Sequence, residues 1–174
     1  MKKIITLFAV VVGLFAFSSC TTTDDNFQED FDTYPYAFEI KNVDLGRVAD
    51  NEYNLRSTFQ FEINDNLRDD ETVLIYRLTS TINSNTPVWQ LIPRTIYFNN
   101  GDLVDYFFDF SKVDFFITAR ANFNLLNRRE YIDDQTFRIV LIPSDLAATM
   151  DTNNYLEVMN TLKLSENQVK KVKL

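Results

Sequence analysis

Apolar and polar side chains alternate along residues 53–63, YNLRSTFQFEI. The apolar set is Tyr53, Leu55, Phe59, Phe61 and Ile63, and only Ser57 interrupts it. A period of two predicts a strand with one face on a core and the other in water. Half-buried strands are typical of antiparallel sheets, because parallel strands are usually buried on both faces. The segment therefore predicts a strand of an antiparallel sheet.

Similar strand patterns recur along the chain. They cover residues 36–41, 72–79, 88–98, 103–110, 113–119 and 136–142. Pro93 predicts an edge, a bulge or a break, because proline cannot donate a ladder hydrogen bond. Asn99, Asn100 and Gly101 tolerate positive φ, so they predict a hairpin turn between two strands.

The number and spacing of these segments favour an all-β fold. About seven strands in about 110 residues, with turns roughly every eight to twelve residues, predict an antiparallel immunoglobulin-like β-sandwich. We assign this domain to residues 34–143. The chain has Trp89 but lacks the cysteine pair of true immunoglobulin domains, so the likeness concerns architecture only.

The pattern becomes helical after Pro143. Ser144 is the predicted N-cap of DLAATM, and Asp151 or Thr152 that of NNYLEVMNTLKL. Apolar side chains at helical spacing follow, namely Tyr155, Val158, Met159 and Leu162. Residues 144–174 are therefore predicted to form a short helix over one open end of the β domain, followed by a fraying tail, ENQVKKVKL.

The amino-terminal residues have the organisation of an export signal. Two lysines precede an apolar run over residues 4–17, and small residues lead to Cys20. The stretch Phe17-Ser18-Ser19-Cys20 resembles the bacterial lipobox, in which the cysteine thiol receives a diacylglyceryl group. We therefore predict a signal peptide over 1–19 and lipidation of Cys20. The alternative is a plain secretory signal followed by an accidental free thiol.

An acidic stretch follows the predicted lipidation site. Residues 20–33 contain five acidic side chains and no basic one. This composition predicts a flexible, self-repelling tether. It also resembles the acidic signal that directs flavobacterial-type lipoproteins to the outer face of the outer membrane. A solvated linker without a targeting role is the alternative.

Charge and residue types exclude several functions. The net charge of −8 argues against nucleic acid binding, so the membrane would be reached through the acyl anchor on Cys20. The chain has no histidine and one cysteine, which excludes Ser-His-Asp and Cys-His catalysis and a histidine or multi-thiolate zinc site. Only two glycines, Gly46 and Gly101, follow the predicted signal peptide, so the chain can form neither a dinucleotide fingerprint nor a phosphate-binding loop. We predict no catalytic residue, no cofactor and no metal.

Carboxylates and aromatic residues leave weaker alternatives open. Residues 64–71, NDNLRDDE, and the pair Asp133-Asp134 could bind calcium, although solvated turns explain them better. Paired acids could also hydrolyse glycosides if the fold sets their separation. A sugar-stacking platform is another option, with core packing as its alternative. Its candidate residues are Trp89, Tyr34, Tyr36, Tyr97 and Tyr106.

Several longer stretches resemble short flavobacterial outer-membrane lipoproteins of unestablished activity. They include the first 34 residues, VWQLIPRTIYF, DYFFDFSKVDFFI and FRIVLIPSDLAATMDTNNYLEVM. Such proteins are sometimes labelled dihydrolipoamide dehydrogenase, but this chain lacks the flavin fingerprint, the redox cysteine pair and the catalytic histidine. The lipobox-like stretch and the missing catalytic residue types together predict a non-enzymatic, surface-exposed lipoprotein with a binding or structural role. An accessory glycan-binding module and a carboxylate-dependent hydrolase are the alternatives.

Overall fold

Two five-stranded sheets dominate the structure, and all but one of the strand pairings are antiparallel. The computed structural model describes residues 35–83 and 85–172. The all-β prediction is confirmed. The predicted signal peptide, the tether and Cys20 lie outside the described residues. Within the described ranges, no helix is long and apolar enough to cross a membrane.

The described residues form ten strands and three short α-helices. The strands are β1 (Tyr36–Val43), β2 (Gly46–Ala49), β3 (Glu52–Thr58), β4 (Glu71–Ile82), β5 (Thr86–Ile92), β6 (Arg94–Tyr97), β7 (Leu103–Phe110), β8 (Asp114–Ala121), β9 (Gln135–Pro143) and β10 (Lys170–Val172). The helices are α1 (Phe59–Ile63), α2 (Ser144–Ala147) and α3 (Tyr155–Thr161). Three 3₁₀ turns cover Leu125–Asn127, Arg129–Tyr131 and Glu166–Gln168.

Sheet 1 has the strand order β10-β1-β9-β4-β5, and sheet 2 has the order β2-β3-β8-β7-β6. Ten strands replace the predicted seven or so, because β2, β6 and β10 contain only three or four residues each. A strand that short contains at most two full alternations, which is too few for a periodic signal.

The main core lies between the two sheets, in a β-sandwich-like arrangement. Sheet 1 contributes Phe38, Ile40, Val73, Ile75, Phe137, Ile139 and Leu141, and sheet 2 contributes Tyr53, Val104, Tyr106, Phe115, Ile117 and Ala119. These residues alternate along their strands, as the period-two pattern requires. Both sheets thus bury one face against the other.

A second apolar cluster covers the outer face of sheet 1. Its buried members are Ala37, Tyr76, Trp89, Val140, Ile142, Tyr155, Val158, Met159, Leu162 and Val169. They come from four strands of the sheet and from the C-terminal segment. Strand β9 is therefore covered on both faces, and all of its residues except Pro143 are buried.

The C-terminal segment corrects four predictions. Helix α3 packs on the face of sheet 1 rather than on an open end of the β domain, since its apolar residues join the cluster on that face. Its N-cap is Asn154, whose side chain accepts from Glu157 N–H at 3.2 Å. Pro143 precedes α2, and no side-chain cap is present there. The predicted fraying tail instead forms β10, parallel to β1.

The predicted strand over residues 53–63 is wrong in its second half. Strand β3 ends at Thr58, whose hydroxyl accepts from Phe61 N–H at 3.2 Å and starts α1. Asn64, at φ 62°, ends the helix in the left-handed conformation. Phe59 is buried against Phe115, whereas Phe61 is 64% exposed. Local capping therefore overrides the alternation.

The segment around Pro93 connects the two sheets. Pro93 lies between β5, at an edge of sheet 1, and β6, at an edge of sheet 2, which confirms the predicted break.

The hairpin between β6 and β7 is also confirmed. Gly101 has a φ of +86° there, and Phe98 N–H donates to Asp102 O at 2.9 Å. An L-side chain at that φ would be strained.

We expect truncation of Leu162 to destabilise the fold while the same change at Leu156 does not. Leu162 is 6% exposed beneath α3, and Leu156 is 69% exposed on the same helix. Leu162→Ala should lower the free energy of unfolding by about 2–4 kcal/mol, and Leu156→Ala by less than about 0.5 kcal/mol. Urea unfolding measures both. Equal, small effects would contradict docking of the C-terminal segment on sheet 1.

Candidate functional site

Strand β9 carries an arginine in the middle of its buried run. Arg138 is 1% exposed, because β1 and β4 flank its strand and the C-terminal segment covers its face of the sheet. A guanidinium in such a position is unfavourable unless carboxylates and other acceptors surround it. The groups that satisfy Arg138 therefore define a specific polar site on an otherwise apolar face.

The first partner of Arg138 is its cross-strand neighbour Glu39. These two residues are paired in the β1–β9 register, and Glu39 is 2% exposed. Arg138 Nε donates to Glu39 Oε2 at 3.1 Å, and Arg138 Nη2 also donates to Glu39 Oε2. Glu39 therefore accepts hydrogen bonds from the Nε and Nη2 side of the guanidinium.

The C-terminal segment supplies the other partners. Arg138 Nη1 donates to Glu166 Oε1 at 2.6 Å and also to Tyr155 Oη. Tyr155 Oη in turn donates to Glu166 Oε1 at 2.9 Å. The side chain of Glu166 is 57% exposed, whereas that of Glu39 is 3% exposed. One carboxylate is thus fixed inside the fold, and the other reaches solvent.

Two lysines extend the network to the surface. Lys41 Nζ lies 3.1 Å from Glu39 Oε1, and Lys171 Nζ lies 3.0 Å from Glu39 Oε2. Their side chains are 48% and 45% exposed, respectively. Three cationic side chains, those of Lys41, Arg138 and Lys171, therefore surround the buried carboxylate of Glu39.

Trp89 of β5 forms the aromatic wall of the site. The guanidinium carbon of Arg138 lies 4.3 Å from the centroid of the Trp89 ring, which is a cation–π distance. The Tyr155 ring centroid is 5.7 Å from that of Trp89. Trp89 is 9% exposed, and its buried Nε1–H has no hydrogen-bond partner. A donor left unpaired in a buried wall is uncommon.

These residues line an open cleft of about 740 Å³, which we call the Arg138 cleft. The charged and polar residues that line it are Glu39, Lys41, Asn42, Asn85, Thr86, Thr136, Arg138, Tyr155, Glu166 and Lys171. The apolar residues that line it are Leu78, Ile82, Pro87, Val88, Trp89 and Leu156. The volume lies in the range of about 300–1,000 Å³ that is typical of small-molecule sites.

The ion pairs hold both carboxylates of the cleft in the charged form. Burial would raise the pKa of Glu39, but hydrogen bonds from Arg138 and Lys171 bring it below its ordinary value. Burial would also raise the pKa of Glu166, but the hydrogen bond and the charge of Arg138 bring it below its ordinary value. Burial raises the pKa of Tyr155. At neutral pH, therefore, none of these three groups is poised to exchange a proton, as general acid–base catalysis requires.

One acid outside the cleft has the opposite shift. Burial raises the pKa of Glu62, which is fully buried in α1. Ser57 Oγ donates to Glu62 Oε1 at 2.5 Å, and the other carboxylate oxygen has no partner. Ser57 interrupts the apolar positions of residues 53–63, and its hydroxyl has a partner there, because it donates a hydrogen bond to the buried carboxyl of Glu62. Glu62 does not line the Arg138 cleft.

The aromatic residues predicted as a sugar platform do not come together. Trp89 faces the cleft, whereas Tyr106 lies in the core between the sheets and donates to Tyr131 O at 2.6 Å. Tyr36 packs at the edge of that core, and Tyr97 is 77% exposed on β6. Tyr34 lies outside the described residues.

The acidic segments predicted as calcium candidates are used in turns and ion pairs. Asp69 pairs with Lys112, and Glu71 Oε2 accepts from Arg68 N–H at 2.8 Å. Asp133 pairs with Arg129 at 2.5 Å. Across residues 35–83 and 85–172, no group of three His, Cys, Asp or Glu side chains could hold a metal ion.

The sequence interpretation missed most of the cleft. Arg138, Glu39, Tyr155, Glu166 and Lys171 come from three segments far apart in the chain. One signal was present, because a lone arginine inside the run TFRIVLI demands a buried acidic partner. The partner itself could not be identified from spacing.

No protein-family model, no curated protein and no solved structure matches this chain.

We expect Glu39→Gln to be strongly destabilising, because it leaves Arg138 buried without its inner carboxylate. The free energy of unfolding at neutral pH should fall by about 3–5 kcal/mol. Glu52→Gln on β3 is the matched control and should change it by less than about 0.5 kcal/mol. Equilibrium urea unfolding measures both variants.

The same variant should change the acid response. The lowered pKa of Glu39 stabilises the fold fully above the unfolded value near 4.5, and this contribution is lost as pH falls through the folded value. Between pH 5 and pH 2, Glu39→Gln should therefore show a shallower loss of stability than the parent protein. Parallel pH profiles for the two would contradict the ion pair.

Proposed function

We propose that this protein is a lipid-anchored outer-membrane lipoprotein whose β domain binds a small ligand non-catalytically in the Arg138 cleft. The cleft itself is the observation that carries the binding proposal. It combines a volume of about 740 Å³ with a lining that contains both apolar and charged side chains. Concave sites with mainly apolar walls and a few fixed polar groups are typical of ligand binding.

The state of the charged groups supports a binding role over a catalytic one. Glu39 and Glu166 both bind Arg138, which keeps both ionised. Hydrolysis of a glycoside by paired acids needs one carboxyl that stays protonated. Glu62 has the raised pKa, but it is fully buried away from the cleft. These observations argue against the carboxylate-dependent hydrolase.

The architecture and the location belong to the same proposal. Two facing, mainly antiparallel sheets support an immunoglobulin-like sandwich, to which the chain adds β10 and a helical layer. The location rests on the sequence: the lipobox-like stretch ending at Cys20 and the acidic residues after it indicate an acyl anchor and display at the cell surface.

The glycan-binding alternative is weaker because of the environment of Trp89. Sugar stacking uses an open aromatic face. Trp89 is only 9% exposed, and Arg138 lies over its ring at 4.3 Å. Tyr97, the exposed tyrosine among the described candidates, lies on β6 and does not line the cleft.

The anchor is tested by metabolic labelling. The parent protein expressed in a bacterium should incorporate labelled palmitate and fractionate with the outer membrane, and Cys20→Ala should do neither, because it lacks the acceptor thiol. Globomycin should cause the unprocessed precursor of the parent protein to accumulate. Equal labelling of the two proteins would disprove the acyl anchor at Cys20.

Ligand binding is tested through Trp89, the single tryptophan of the chain. The full-length Cys20→Ala chain can be titrated with a panel of neutral, anionic and cationic amphiphiles and soluble polysaccharides. We expect a saturable fluorescence change with at least one class, weakened about tenfold by Leu156→Ser, because Leu156 lines the cleft. Leu126→Ser, at a residue of similar exposure elsewhere, is the control.

A flat response to the whole panel, or one unchanged by Leu156→Ser, would count against the cleft as a binding site. A response to polysaccharides alone would favour the glycan-binding module.

A further inference from the structure

We infer that the Arg138 cleft takes a single-chain amphipathic anion, with a carboxylate head at Lys41, Lys171 and Arg138 and an apolar chain against Ile82, Val88 and Leu156. This inference rests on the proposed binding function and names the chemical class of its ligand. Three observations carry it: the excess of cationic side chains in the lining, the position of Glu166, and the exposure of the apolar side chains of the cleft.

Cationic side chains outnumber anionic ones in the lining of the cleft. The charged side chains are Lys41, Arg138, Lys171, Glu39 and Glu166. Three are cations and two are anions, although the whole chain has a net charge of −8. An incoming anionic group would balance the remaining positive charge, and a cationic group would be repelled.

Glu166 occupies the place where a ligand carboxylate would bind. It is the outer of the two carboxylates on Arg138, it is 57% exposed, and it belongs to a 3₁₀ turn of only three residues. Glu39, by contrast, is held in strand β1 and is 3% exposed. A ligand carboxylate can therefore replace Glu166 on Arg138 Nη1 while Glu39 stays in place, with Tyr155 Oη within reach of either.

The apolar side chains that line the cleft include strongly exposed ones. Ile82 is 55% exposed and Leu156 is 69% exposed, and both line the cleft beside the partly buried Val88. Large exposed aliphatic side chains that share one cleft with fixed charges indicate a ligand with both characters. An alkyl chain would cover them, whereas a hydroxyl-rich sugar would not.

The test uses decanoate, which carries both proposed features, below its micellar concentration. Binding to the full-length Cys20→Ala chain is followed by Trp89 fluorescence and by calorimetry. Decanoate should bind saturably and at least tenfold more tightly than decanol, which has the same chain without charge. Decyltrimethylammonium and acetate should not bind. Octanoate should bind about tenfold more weakly than decanoate, because it buries two fewer methylenes.

Charge variants locate the head group. Glu166→Gln should raise decanoate affinity about threefold to tenfold, because it weakens the internal competitor for Arg138. Lys171→Gln should lower the affinity by about the same factor. Glu130→Gln and Lys163→Gln are matched exposed controls outside the cleft and should leave the affinity within twofold. Thermal melts check that each variant is folded.

Each contrary result has a distinct meaning. Equal affinity for decanol would overturn the anionic head group, and equal affinity for acetate would overturn the apolar chain. A decrease with Glu166→Gln would overturn the displacement of Glu166. If decanoate fails while another member of the earlier panel binds in a Leu156-dependent way, the ligand class is wrong and the binding function stands. If every ligand fails, both proposals fall.

Discussion

The structure of sheet 1 depends on the satisfaction of one buried charge. Arg138 lies at the centre of a buried strand and is only 1% exposed, so the chain must bring acceptors to it. Glu39 arrives by strand pairing, and Tyr155 and Glu166 arrive with the C-terminal segment. The apolar contacts of α3 hold that segment in place, and the guanidinium fixes its position over the sheet. The same requirement creates the Arg138 cleft, in which charged side chains lie near exposed aliphatic ones, so the group that holds the C-terminal segment also lines the cleft.

Much of the fold follows from local patterns in the sequence. Alternation predicts the long strands, Pro93 predicts the break between sheets, and Gly101 predicts the hairpin, because each depends on backbone chemistry within a few residues. Residues 59–63 show where such patterns fail. Their alternation is compatible with a strand, but the hydroxyl of Thr58 caps a helix there. Strand β10 is not predicted for a different reason. It has only three residues, two of them lysines, and these become a strand only by pairing with β1.

The site was much less predictable than the fold. Alternation places Glu39 on the solvent side of β1, and it does lie on the outer face, yet the C-terminal segment and two lysines bury it. Trp89 was identified as a candidate, but the guanidinium of Arg138 above its ring changes what it can bind. Both outcomes depend on contacts between residues that are far apart in the sequence. A charged residue inside an apolar run can indicate that such contacts exist, but it cannot say which residues make them.

The position of β1 in its sheet has a consequence for the order of folding. Both neighbours of β1 come from late in the chain: Glu39 is separated from Arg138 by 99 residues and from Lys171 by 132. Pairings at that distance must overcome a large loop-closure entropy, which slows folding. While the chain is being synthesised, β1 remains an unpaired strand until β9 emerges. An edge of that kind invites aggregation, so a chaperone that shields residues 36–43 would protect the nascent protein where it is most vulnerable.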